Sequence, residues 1–104
     1  MTGAGREPSI LSQLQPFAWS SADSAAYEAA LEAINGAVGA YTALIAEQEA
    51  SEQPDQGVIA AARSGRVECA RWREQLDPSD RAAVEQTRRR FSHLAEEVRR
   101  GRDA

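Results

Sequence analysis

Few side chains here are of a type that does chemistry, and their spacing keeps them apart. His93 is the single histidine and Cys69 the single cysteine. A metal centre needs several ligands converging on one point. Around His93 only Glu96 and Glu97 are close enough on the same helix to join it. Glu28 and Glu32 lie four apart and share a helical face, yet no Glu-x-x-His pair accompanies them, as carboxylate-bridged di-iron bundles require. A lone cysteine forms no intrachain disulfide, and Cys69 falls within an apolar row, where a thiol behaves as a small hydrophobe. There is no Gly-x-Ser-x-Gly, no phosphate loop and no dinucleotide fingerprint. The sequence therefore predicts no catalytic residue, no metal, no cofactor and no small-molecule substrate. It reads as a protein that is not an enzyme.

Arg88-Arg89-Arg90 is the one basic run. Phosphate binding needs several cations on one accessible face. Consecutive helical residues point about 100° apart, so three in a row do not make such a face. Glu85, Glu96 and Glu97 surround them, and no interleaved aromatics offer a stacking platform. If nucleic acid were bound, Arg81, Arg88, Arg89 and Arg99 would be the contacts. The formal net charge of -4 disfavours that reading for the chain as a whole.

The charge is unevenly distributed. All 12 basic residues are arginine, and none lies between Glu7 and Ala62. From Arg63 onward eleven arginines face eight acids, and 11 − 8 leaves +3. An acidic segment thus precedes two weakly basic ones, which suits either complementarity within one molecule or oriented binding to another chain.

Positioning any of these groups requires elements, and the sequence names them. Tyr27, Leu31, Ile34, Val38, Tyr41 and Ile45 alternate in steps of four and three, the seam of an amphipathic helix. Ala26, Ala30, Ala33, Ala37, Ala40 and Leu44 make a second row beside it. Together they form an apolar face wide enough for two neighbours. Asn35-Gly36 suggests a turn, but the period runs through it unchanged, so one continuous helix is expected. Gly36 and Gly39 should then mark a close helix–helix approach, because each costs about 1 kcal/mol relative to alanine.

Pro54 ends this helix and Asp55 caps the next. In the second helix Val58, Ala62, Gly65, Cys69, Trp72 and Leu76 keep the same period. Folding the hairpin back places Ile45 by Ala62, Tyr41 by Gly65, Val38 by Cys69 and Ile34 by Trp72, large against small near the loop. Asp77 as cap with Pro78 at the first helical position would open a third helix seamed by Val84, Thr87, Phe91, Leu94 and Val98. The short link makes the second and third helices close antiparallel neighbours.

The expected fold is all-α, an up-down-up antiparallel three-helix bundle with a long first helix and a helical hairpin after it, with dimerisation open. Residues 1–20 read as an N-terminal tail or strap, 21–100 as the bundle, and 101–104 as a frayed end. Aromatics are only 6% of a chain that is 42% hydrophobic, so the core is thin and a partner surface would add area. Secreted helical hairpins of similar length carry a Trp-x-Gly turn. Here the turn reads Ser51-Glu52-Gln53-Pro54-Asp55, so the chain is similar to them in size and helicity alone.

Residues 1–20 lack the pattern of a secretory signal. No run approaches the roughly 20 consecutive apolar residues that span a bilayer. A cytoplasmic location without membrane association is the expectation. Arginine and alanine usage suggests a bacterial source. The function this supports is a non-catalytic protein–protein interaction module: an adaptor, regulator or accessory subunit, as a homodimer or with another protein. Its contact residues would be Phe17, Trp19, Tyr27 and Leu44. A nucleic-acid-associated regulator is the alternative and an enzyme the remote one.

Overall fold

A computed structural model describes residues 20–103 and shows three α-helices: α1 (Ser21–Ala50), α2 (Gln56–Gln75) and α3 (Arg81–Asp103). Residues 1–19 of the expected strap, Phe17 and Trp19 among them, lie outside the described residues, as does Ala104. Among the described residues there is no strand, and the chain forms the expected three-helix bundle.

α1 starts on a capping box. The Ser20 hydroxyl accepts from the Asp23 amide at 3.0 Å, and the Asp23 carboxylate accepts from the Ser20 amide at 3.4 Å. The helix then runs unbroken through Asn35-Gly36. A Cβ on Gly39 would meet nothing within 4 Å, and one on Gly36 only the Arg99 guanidinium at 4.0 Å. The expected close approach at these two glycines is therefore not there. It occurs at Gly65, where a Cβ would overlap the Tyr41 ring. This is the register the hairpin pairing gave.

Asp55 caps α2, its Oδ1 accepting from the amides of Gly57 and Val58 at 3.0 and 3.2 Å. The Asp55 amide in turn donates to Gln48 Oε1 at 2.9 Å, which ties the loop to α1. α3 begins later than the sequence suggested. Asp80, not Asp77, is its cap, with Oδ1 accepting from the Ala83 amide at 3.0 Å. Asp77 instead accepts from the amide and hydroxyl of Ser79 at 2.9 and 2.7 Å. Those bonds hold residues 77–79 in a side-chain-closed turn, so Pro78 precedes the helix rather than opening it. At its far end α3 runs to Asp103.

The three helices share one core along α1. Ile34, Ala37, Ala40, Cys69, Phe91 and Ala95 are buried together, with Tyr41 and Trp72 packed against them. Ala30, Leu76 and Val84 close one end, and Ile45, Ile59 and Ala62 the other. α2 runs back along α1 through Arg63–Glu49, Arg66–Thr42 and Arg73–Asn35. α3 returns in the direction of α1, with Arg81 at Asp23 and Arg102 at Glu47.

α1 packs closely on both neighbours, whereas α2 and α3 nowhere bring their Cα atoms within 8 Å of each other. The close neighbours expected at the second turn are antiparallel but stand apart. Alanines on α1 let helices approach it, while rings fill the space between the other two. Trp72 and Phe91 meet there edge to face, with centroids 5.6 Å apart.

By length and composition α1 is apolar enough to cross a membrane. In the bundle its Ala30, Ile34, Ala37, Ala40 and Ile45 are buried by the other helices, and Glu28 and Glu32 face outward.

Candidate functional site

A largely apolar groove of about 680 Å³ lies between α1 and α2. Its α1 wall is Tyr27, Leu31, Ile34, Asn35 and Val38, and its α2 wall is Cys69 and Ala70 with Arg66, Arg73 and Glu74 at the edge. Leu31 and Val38 are half-buried and Ala70 is exposed, so the groove presents carbon to its opening. It exists because α2 carries small residues where α1 carries large ones. The seam side chains of α1 outreach the surface that α2 offers to cover them.

Two arginines cross its rim. Arg66 donates to Thr42 Oγ1 and Arg73 to Asn35 Oδ1, each at 3.3 Å. The donors are seven residues apart on α2 and the acceptors seven apart on α1, as antiparallel helices require. Among the described residues neither arginine reaches a carboxylate. Three other cross-helix arginines do: Arg63 to Glu49 at 3.2 Å, Arg81 to Asp23 at 2.9 Å and Arg102 to Glu47 at 3.7 Å. In all three the acid belongs to α1, so much of the charge asymmetry read from the sequence is used inside the bundle.

The groove holds no acid–base machinery. Burial pushes the Cys69 thiol up, with Glu68 adding to it. Burial likewise raises the Tyr41 phenol, with Cys69 and Glu97 contributing. Of these two, Cys69 lies on the groove floor, and its raised value favours the neutral thiol. A second cleft, about 430 Å³, lies between the end of α2 and the start of α3. Trp72, Leu76 and Thr87 line it together with polar Gln75, Gln86 and Arg90. The Arg90 guanidinium already covers the Trp72 ring, 4.6 Å from its centroid.

Of the expected contact residues, Tyr27 lines the groove and packs by Leu76 and Val84, while Leu44 packs by Ile45 and Ile59. Seventeen residues of helix, about 25 Å, separate the two along α1, so they do not form one surface. Arg88 pairs with Glu85 through two hydrogen bonds, at 3.1 and 2.5 Å, and Arg89 lies 3.7 Å from the same carboxylate. The Arg88 hydrogen bond holds that carboxyl below its usual value. Arg81 is committed to Asp23, and Arg99 stands exposed beside Gly36. These four arginines are not assembled into one free cationic face.

His93 pairs with Glu97 at 3.3 Å in the open. Among the described residues no three His, Cys, Asp or Glu side chains converge as metal ligands would. Sequence reasoning missed Leu31, Arg66, Arg73 and Ala70 as a site. The signal was present: once Tyr41 is set against Gly65, the register carries Thr42 to Arg66 and Asn35 to Arg73. Compared with family models, curated proteins and solved structures, the chain matches none.

Proposed function

We propose that this chain is a non-catalytic protein–protein interaction module, an adaptor, regulator or accessory subunit of a multi-protein bacterial system, and that it docks its partner along the α1–α2 groove. The observation that carries this reading is the groove itself: an apolar floor beneath two arginines that, among the described residues, bond to neutral side chains, with Glu74 also at its edge. A surface of this kind suits an amphipathic segment that supplies apolar side chains to the floor and carboxylates to the rim. Apolar area would give most of the affinity, and the arginines would fix orientation.

The test uses substitutions that leave the core alone. Ala70 is exposed on the groove and Ala82 is exposed on α3, away from it. Affinity capture from the source cell with wild type, Ala70→Glu and Ala82→Glu as baits should return a protein with the first and third and lose it with the second. Equal recovery with all three baits would place the contact elsewhere.

A further inference from the structure

We infer that the partner seated on the α1–α2 groove face is a second copy of this chain, with α1 of each copy lying on α2 of the other. The inference rests on reading the groove as a docking surface, and it names the occupant. Two pairs of residues on that face have no use within one copy, and each pair stands at matching heights.

The first pair is a knob and a hole. Val67 is the one exposed large hydrophobic side chain among the described residues, 55% exposed. Gly39 weakens α1 as a helix, yet nothing lies within 4 Å of the Cβ it lacks. Val67 precedes Ala70 by three residues and Gly39 follows Asn35 by four, so each shares the groove side of its helix. Arg66 stands level with Thr42 and Arg73 with Asn35, which puts Val67 level with Tyr41. Gly39 is then about 3 Å from the level of Val67 along the helix axes.

The second pair is one of charge. Arg73 reaches Asn35 and no carboxylate, and Glu32, exposed on α1, enters no ion pair among the described residues. Three residues, about 4.5 Å of rise, separate the level of Glu32 from that of Asn35 and Arg73. Glu74 is the one acid on the α2 wall, where Arg66 and Arg73 outnumber it.

A twofold axis parallel to the helices preserves every height and lays α1 of one copy antiparallel on α2 of the other. Val67 then enters the space over the partner copy's Gly39, and Arg73 meets the partner copy's Glu32, each contact made twice. Joining the same faces α1 to α1 and α2 to α2, centred on Ala70, would set Arg66 against the partner copy's Arg73. Like charges reject that arrangement.

The test uses the full chain. Sedimentation equilibrium and light scattering over roughly 5–500 μM, a range that covers weak interfaces, should show a mass rising towards twice that of one chain. Gly39→Leu fills the hole at an exposed helical position, so the bundle stays folded, as circular dichroism and urea unfolding would verify. It should weaken dimerisation by about tenfold or more. Arg73→Glu and Glu32→Arg should each weaken it too. An equimolar mixture of those two variants should regain the dimer, because only in the mixed pair does every glutamate face an arginine.

A mass of one chain at every concentration would overturn the inference. So would a dimer indifferent to Gly39→Leu, or a mixture no better than its components. A monomer whose Ala70→Glu bait still loses a captured protein would leave the docking reading standing with a different occupant. A groove-dependent dimer with equal capture by all three baits would uphold the inference and remove the outside partner.

Discussion

Three glycines divide into two kinds, one that the packing requires and two that it does not. Gly65 accommodates the Tyr41 ring, so Gly65→Ala forces the ring or α2 to move and should destabilise the bundle by about 1–3 kcal/mol. Gly39 faces open space, and Gly39→Ala should add about 1 kcal/mol through helix propensity. Urea unfolding of the two variants should move the midpoint in opposite directions. Gly36, close only to the tip of Arg99, should follow Gly39.

Acid sensitivity is also set by single residues. The Ser20 hydroxyl, then the Ser20 amide and Arg81, hold the Asp23 carboxyl below its usual value against an opposing effect of burial. The Ser79 amide and hydroxyl do the same for Asp77, and Arg88 for Glu85. Folded values below the unfolded ones mean that this stabilisation is complete above the unfolded carboxylate range, about pH 4–5, and drains as pH falls through the folded values. Urea midpoints measured from pH 7 down to pH 2.5 should show that decline, with a shallower acid limb in Asp23→Ala. An unchanged limb would remove Asp23 from the account.

At the level of elements, legibility followed periodicity. The seams of α1, α2 and α3 were readable because one apolar row recurs at one period. Ile59 and Ala95 were missed because each adjoins a stronger seam residue, Val58 or Leu94, yet both are buried. Ala26, counted in the second row, is exposed, since the row outruns its cover near the start of the helix. The start of α3 was misplaced because Asp77 and Asp80 are both acceptable caps and only the turn decides between them. With Asp80 as cap, Asp80→Ala should cost about 1 kcal/mol. Amide exchange should rise at Ala83 and its neighbours in that variant, while Asp77→Ala should leave the first turn of α3 protected. The groove was the least legible feature, because it depends on the register between two helices rather than on any motif within one.

Across the whole molecule, the polar links between elements radiate from α1. Asp23, Glu47 and Glu49 reach arginines on its neighbours, while α2 and α3 meet chiefly where Trp72 abuts Phe91. Exposed pairs of this kind each contribute only about 0.2–1 kcal/mol, so packing on α1 decides stability. Arg81→Glu should therefore weaken the bundle modestly, and Asp23→Arg in the same chain should restore part of the loss, as a double-mutant cycle would measure.

The closer packing of α2 and α3 on α1 than on each other carries a further consequence. The molecule is built like a book with two leaves on one spine. Lifting the α2 leaf breaks its seam with α1 and uncovers the part of α3 that shares a cluster with Cys69 and Trp72. Yet it leaves the α1–α3 seam in place, so it costs less than unfolding the whole. A visitor that pries open that leaf could read or remodel one page while the other stays shut, and native-state hydrogen exchange should resolve two tiers of opening.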